Sequence, residues 1–224
     1  MKYSMAEFLE PTASIDFENT AVSDFAARHV QGASSDLQKA VGIYYAVRDQ
    51  IRYDPYNVSL TVTGLKASNT LARGASWCVP KAILMVACCR AQGIPARLGF
   101  ADVQNHLSTE RMRRVMQTDI FHWHGYASIF LENKWVKATP AFNIGLCEKV
   151  NIRPLEFDGL EDSIYHEFDQ AGNKHMEYLR NRGEFADMPL AQLRATFAKV
   201  YGDLEAKLSV GSSFDKELSQ EHFK

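Results

Sequence analysis

Apolar residues recur with a helical period along the N-terminal part of the chain. Between residues 16 and 29, and again between 35 and 51, they fall mostly three or four positions apart. Ser34-Ser35-Asp36 supplies an N-cap for the second stretch, and the Asp54-Pro55 pair ends it, because proline disfavours helix in the residue before it. We therefore expect two helices here, followed by a short extended segment over residues 59–63.

A third apolar stretch is continuous and not amphipathic. It runs from residue 82 to 89, follows the sequence Trp77-Cys78-Val79-Pro80 and stops at Gly93-Ile94-Pro95. A helix that is apolar on every side belongs in a protein interior. The pattern predicts a buried helix with Cys78 in its first turn.

The pattern then changes to that of strands. Residues 96–103 alternate between apolar and other side chains, and the runs 126–131 and 135–139 are separated by the polar Glu132-Asn133-Lys134 and closed by Pro140. The latter two runs predict a hairpin. Helices followed by antiparallel strands indicate an α+β fold, with the central helix packed on the sheet.

The C-terminal part, residues 150–224, reads as an extension packed on this core. Residues 163–168 and 174–179 predict a second hairpin, and residues 189–208 predict one amphipathic helix. No linker is long enough to separate a second domain, so we expect residues 1–224 to form one domain.

Composition narrows the class of protein. A chain of 224 residues that is 46% apolar and 23% charged has an ordinary globular profile, and a net charge of −2 gives no electrostatic reason to expect nucleic acid or a membrane surface as partner. The N-terminus lacks the apolar stretch of a secretory signal. Two of the four cysteines, Cys88 and Cys89, lie in the apolar helix and are expected to be packing residues. These features predict a cytoplasmic protein.

Cys78 and His124 carry the chemistry that the sequence suggests. Free N–H groups and the positive end of the dipole at a helix start favour a thiolate, so Cys78 is a candidate nucleophile. His124 opens a predicted strand and is the candidate base. A helix-borne cysteine facing a strand-borne histidine has the geometry of a thiol acyl-transfer site.

These residues resemble a known family. Gly74, Trp77-Cys78, the helix ending in the sequence of residues 90–97, His124 and Trp135-Val136 are similar to the transglutaminase-like superfamily, a branch of the papain-like cysteine enzymes. The resemblance covers about residues 40–145 and includes the preceding helix. It implies a papain-like fold with a cysteine nucleophile, a histidine base and an Asp before a Pro that orients the histidine.

The chain departs from the family at the third catalytic position, where Thr139 stands in place of the Asp. A threonine hydroxyl can accept the Nδ1–H hydrogen bond of His124, but it carries no charge to stabilise an imidazolium. Asn143 could orient the histidine through its amide oxygen instead. Asp102 and Asp119 are charged alternatives that the sequence cannot position.

Further residues have less certain roles. Trp77 and Tyr126 are expected to pack around the dyad, where the indole N–H could help to bind an oxyanion. His122 and His124 could hold Zn²⁺ if His106 or Cys78 converged on them, but no further spaced ligand set supports this. We therefore expect no metal and no cofactor.

The resemblance implies a cysteine enzyme that acts on a peptide or protein amide through a thioester. Water as the acceptor would make it a peptidase or amidase, and an amine would make it a transglutaminase. Loss of the family Asp raises a competing hypothesis, a catalytically silent binding module with the same fold. The sequence leaves both open, and it does not indicate the oligomeric state.

Overall fold

The computed structural model describes residues 5–105, 108–164, 176–209 and 213–220. A 3₁₀ turn at Met5–Phe8 precedes the helices, which are α1 Thr20–Arg28, α2 Asp36–Gln50, α3 Ala67–Arg73, α4 Cys78–Ala91, α5 Glu110–Met116, α6 Ile144–Lys149, α7 Leu190–Val200, α8 Leu204–Ser209 and α9 Phe214–Leu218. The strands are β1 Arg52–Tyr53, β2 Ala75–Ser76, β3 Ala96–Asn105, β4 Ile120–Leu131, β5 Lys134–Ala138 and β6 Met176–Phe185. The mixture confirms the α+β class.

Helix α4 is the centre of the molecule. Every residue from Cys78 to Arg90 is buried, as the continuous apolar run predicts. The helix packs on strand β4 and is covered by α1, α2 and α3. The nucleophile candidate thus stands at the end of the most deeply buried element of the fold.

The two charged residues of α4 are buried with hydrogen-bond partners. Lys81 Nζ donates to the carbonyl of Arg48, at 2.9 Å, and to that of Ile51, so it satisfies carbonyls at the end of α2. Arg90 donates to the carbonyls of Glu10, Ala96 and Ala186. Burial lowers the pKa of Lys81 to about 7. Buried polar groups are tolerated when acceptors surround them, and here those acceptors join α4 to four separate segments.

The main sheet is antiparallel, in the order β5-β4-β3-β6. The predicted hairpin is confirmed as β4 and β5, with Leu131 opposite Lys134. Glu132 and Asn133 form its two-residue turn with φ of 47° and 64°. Two positive φ values are typical of the type I′ turn, whose twist suits a hairpin.

Both N-terminal helices are confirmed. The side chains of Asn19 and Ser35 cap α1 and α2, accepting from Ala21 N at 3.0 Å and Gln38 N at 3.2 Å. The extended segment predicted for residues 59–63 is wrong. Thr61 Oγ1 accepts from the N–H of Gly64 at 2.9 Å, and this local bond holds the segment in a turn.

The C-terminal part differs from its prediction. The predicted run 163–168 lies mostly outside the described residues, whereas the run 174–179 falls largely within β6, which pairs with β3. The single helix expected over 189–208 is wrong, because the chain breaks into α7 and α8 at Gly202, whose φ is 67°. Among the described residues, no helix combines the length and apolar character needed to cross a bilayer.

Candidate active site

Cys78 begins α4, and the backbone before it is extended. Gly74 ends α3 with a left-handed φ of 63°, strand β2 follows, and Trp77 is the N-cap residue of α4. The side chain of Trp77 makes no capping hydrogen bond. The N–H groups of the first turn therefore have no side-chain acceptor at the cap, which is the setting in which a helix start binds an anion.

Gly125 brings strand β4 against this first turn. A Cβ at Gly125 would lie 2.9 Å from Val79 Cα, closer than real Cβ atoms come to backbone. The backbone N–H of Gly125 also acts to lower the pKa of the Cys78 thiol. The close approach depends on the missing side chain, and it places the neighbouring His124 beside the start of α4.

Cys78 and His124 line one cavity of about 40 Å³. A water molecule needs about 10–15 Å³ by this measure, so the cavity holds a few waters and no peptide. Its wall is mainly apolar and includes Val58, Met112, Met116, Phe121, Phe197 and Leu204. The C-terminal helices close the site. Phe197 lies in α7, Tyr201 in the turn after it, and Leu204 at the start of α8.

The thiol of Cys78 is buried, with 7% of the residue exposed. Burial raises its pKa to about 11, although the backbone N–H groups of Gly125, Val79 and Cys78 act to lower it. The expectation that the helix start alone favours a thiolate is therefore wrong for this closed state. The desolvation cost exceeds the stabilisation by the N–H groups.

His124 is equally enclosed. Burial lowers the pKa of its imidazole to about 4, so the ring is neutral at pH 7. Among the described residues, neither His124 Nε2 nor Nε1 of Trp77, a residue of the same cavity wall, has a hydrogen-bond partner. A buried polar atom without a partner costs roughly 1–3 kcal/mol.

The two candidates for the third position have partners of their own. Thr139 Oγ1 donates to the carbonyl of Ile164 at 2.8 Å. Asn143 Oδ1 accepts from the N–H of Tyr53 at 2.9 Å. Each side chain is thus bonded to a group other than His124, and their roles as orienting residues stay predictions.

Tyr126 and Asp119 lie in the sheet region. The Tyr126 hydroxyl donates to Glu184 Oε1 at 3.3 Å, and its ring covers Gly99, where a Cβ would lie 2.0 Å from the ring. Asp119 accepts from Gln104 Nε2. The structure gives Tyr126 this packing role and shows Trp77 in the cavity wall.

His122 and Asp102 form the pair that sequence reasoning missed. His122 lines the same cavity as Cys78, and its Nδ1 lies 3.0 Å from Asp102 Oδ2. The sequence analysis considered His122 only as a metal ligand, and Asp102 only as one of two charged alternatives for orienting His124. Strand alternation gives no sign of the pairing, because a bulge in β4 creates it.

The family model of the transglutaminase-like superfamily matches residues 23–140, more than half of the chain. The chain belongs to the transglutaminase-like superfamily. The matched range includes Cys78, His124 and Thr139, whose roles as nucleophile, base and third residue stay predictions. No curated protein sequence matches the chain.

Two solved structures align with part of the chain. A candidate cysteine protease from Cytophaga hutchinsonii aligns with a TM-score of 0.49 and 17% identity, over 82% of this chain and 54% of that protein. A candidate protease from Parabacteroides distasonis aligns with a TM-score of 0.37 and 15% identity, over 52% of this chain and 22% of that protein. The chain therefore spans about half, or less, of the length of these proteins.

The metal alternative rests on residues that the structure describes only in part. In the described ranges, no three His, Cys, Asp or Glu side chains come together as ligands. His106, one of the ligands considered, lies outside them. His122 instead contacts a carboxylate and a guanidinium, Asp102 and Arg182.

Proposed function

We propose that this superfamily member is a cysteine enzyme that forms a thioester between Cys78 and the acyl group of a peptide or protein amide. The observation that carries the proposal is the placement of Cys78. It stands on the first turn of α4, in one cavity with histidine side chains, and backbone N–H groups of α4 and β4 act to lower its thiol pKa. Membership of the transglutaminase-like superfamily supports the same reading.

The chemistry follows from this arrangement. A histidine takes the thiol proton, Sγ of Cys78 attacks the amide carbonyl carbon, and the C–N bond breaks as the amine leaves with that proton. The backbone N–H of Cys78 at the helix start is suited to bind the oxyanion. Water then releases a carboxylic acid, or an amine forms a new amide.

The superfamily pattern assigns the base to His124 and its orienting residue to Thr139, and both assignments stay predictions. The expected absence of a metal or cofactor is part of the same proposal. Substrate access requires movement of the C-terminal helices, because the closed cavity is too small for a peptide.

One set of observations favours the competing function, a silent binding module. The thiol is buried with a raised pKa, and α7 and α8 close the cavity. In this alternative the closed cavity has no catalytic role, and the binding surface lies elsewhere on the fold.

Acylation of the thiol separates the two functions. The protein is mixed with p-nitrophenyl acetate, and release of p-nitrophenol is followed while intact mass reports the acyl adduct. Casein cleavage and incorporation of dansylcadaverine then distinguish water from an amine as acceptor. We expect a burst and an adduct on Cys78.

The variants Cys78→Ala and Cys147→Ser form a matched pair, because both residues are buried free cysteines but Cys78 alone of the two lines the cavity. The burst should vanish only in Cys78→Ala. A folded wild-type protein that gives neither burst nor adduct, and no activity on casein or dansylcadaverine, would support the binding module.

A further inference from the structure

A bulge in β4 separates the surroundings of its two histidines. Ala101 and Val103 of β3 pair with His124 and Phe121 of β4, so β4 contains one residue more than its partner over this interval. Trp123 takes up the extra length with a φ of 62°, a left-handed conformation that is costly for a bulky residue. Strain of this kind is retained where the surrounding structure over-determines it, and bulges are frequent beside active sites.

Asp102 lies at the interruption of this register. Its Oδ1 accepts from the N–H of Trp123 at 3.1 Å, and Arg182 of β6 donates to both carboxylate oxygens. Burial acts to raise the pKa of Asp102, but the hydrogen bonds from Arg182 and His122 bring it below its ordinary value. The group is therefore an almost fully buried carboxylate that stays charged.

The imidazole of His122 is held from two sides. Nδ1 lies 3.0 Å from Asp102 Oδ2, and the ring packs against that of Tyr201 with centroids 5.9 Å apart. The Tyr201 hydroxyl also accepts from the backbone N–H of His122 and donates to the carbonyl of Ile120, each at 2.8 Å. This bracing leaves the far ring nitrogen, Nε2, as the one that can serve the cavity.

Asp102 and Arg182 both face Nδ1 of His122. Nη2 of Arg182 lies 3.2 Å from His122 Nδ1 and donates to Asp102 Oδ2 at 2.8 Å. The carboxylate oxygen, 3.0 Å from Nδ1, can only accept, and it therefore favours a proton on Nδ1. A neutral ring with its proton on Nδ1 has a lone pair on Nε2, which is the state that a general base requires.

Within the part of the chain that the structure describes, His124 has no carboxylate or guanidinium partner of this kind. Its Nε2 has no partner there, and burial is the cause of its lowered pKa. The residue at the superfamily's third position, Thr139, donates its hydroxyl to Ile164. A neutral, unsupported imidazole is poorly suited to hold the proton that it would take from a thiol.

We propose that His122, oriented by Asp102, is the base of Cys78, and that this pair replaces His124 and the missing carboxylate at position 139. This inference rests on the proposed function. The topology allows the exchange because β4 lies between β5 and β3, so a carboxylate can reach the histidine strand from either neighbour. Asp102 reaches it from β3.

The proton balance is then defined. Nε2 of His122 takes the proton from Cys78 Sγ, the sulfur bonds to the carbonyl carbon, and His122 returns the proton to the leaving amine as the C–N bond breaks. In the second half, His122 takes a proton from water, the oxygen bonds to the carbonyl carbon, and Sγ leaves with the proton. Asp102 stays ionised and is a positioning residue.

The test compares His122→Ala with His124→Ala in the p-nitrophenyl acetate burst. General-base loss costs about 10²- to 10⁴-fold, so His122→Ala should reduce the acylation rate at least 100-fold. His124→Ala should keep more than a tenth of the wild-type rate. Circular dichroism and thermal unfolding check that both variants fold.

Asp102→Asn and Asp102→Glu test the positioning role through the pH profile. The charged and titratable groups around His122 and in its cavity are Asp102, Arg182, Tyr201, Tyr53, Cys78 and His124. Asn removes only the negative charge, so the acidic limb of the pH–rate profile should move to lower pH as the imidazolium loses its carboxylate. Glu should restore part of the rate, which loss of a purely structural contact would not allow.

The outcomes are distinct. Activity that survives Cys78→Ala would refute the proposed function itself. With Cys78 required, retention of more than a tenth of the rate in His122→Ala, equal loss in both histidine variants, or an unmoved profile in Asp102→Asn would overturn the assignment to His122.

A measurement on the wild-type protein covers the case in which the variants fail to fold. Nitrogen-15 NMR of the histidines should find His122 protonated on Nδ1, and blocking Cys78 with methyl methanethiosulfonate should shift its Nε2 resonance. A proton on Nε2, or no shift after the block, would contradict the pairing.

Discussion

The contact between Gly125 and Val79 determines how closely the histidine strand approaches Cys78, and Gly125→Ala tests it directly. The added Cβ would lie 2.9 Å from Val79 Cα, 3.2 Å from its Cγ2 and 3.4 Å from its N. Two of these three atoms are backbone at the start of the buried helix α4, so no side-chain rotation relieves the clash. Strand and helix must move apart.

The expected cost is that of overpacking a core, about 1–3 kcal/mol in the free energy of unfolding. The separation would also move the Gly125 N–H, which acts to lower the thiol pKa, away from the Cys78 sulfur. We therefore expect lower stability together with slower acylation of Cys78. Urea unfolding and the p-nitrophenyl acetate burst measure the two effects.

Gly145→Ala is the matched control. Gly145 lies in α6, and the nearest atom to an added Cβ is Asn143 Nδ2 at 3.7 Å, an ordinary contact. Replacing a helical glycine by alanine gains up to about 1 kcal/mol. If Gly125→Ala is as stable as its control, or acylates at the wild-type rate, the close approach of β4 to α4 does not set the site geometry.

Three further predictions follow from the site. Phe197→Ala should cost about 3–5 kcal/mol of stability, open the cavity and raise the rate at which iodoacetamide labels Cys78. Leu193→Ala on the same helix, buried but outside the cavity wall, should cost about 2–5 kcal/mol without faster labelling. Equal labelling of the two variants would refute the covering role of α7. His124 has a folded-state pKa of about 4 against an ordinary 6.5, so the folded state binds fewer protons than the unfolded state below pH 6.5. Stability should therefore fall by up to about 3 kcal/mol as the pH drops from 6.5 towards 4. Urea unfolding at graded pH should show no such fall in His124→Gln, and an unchanged dependence on pH would contradict the burial of the ring. Thr139→Asp should place a carboxylate against the Ile164 carbonyl and cost about 1–3 kcal/mol of stability, without faster labelling of Cys78. Faster labelling in a folded variant would instead show that residue 139 orients the catalytic histidine.

The sequence by itself determined the elements whose signals are local. The continuous apolar run up to Cys89 requires a buried helix, Ser35 supplies a cap, and Glu132-Asn133 supplies the hairpin turn. Periodicity, capping and turn chemistry involve residues a few positions apart. For the same reason, the position of Cys78 at the start of α4 could be predicted without any tertiary contact.

Only the tertiary structure decided which side chains surround Cys78 and how deeply the thiol is buried. The bulge at Trp123 depends on the register between β3 and β4, and it joins Asp102 to His122, which are 3.0 Å apart at Nδ1 and Oδ2. The raised pKa of Cys78 depends on the C-terminal helices that cover it, and Gly202 divides those helices where the periodicity predicts one. Strand register and burial are set by packing between segments far apart in the chain, which no local pattern of residues encodes.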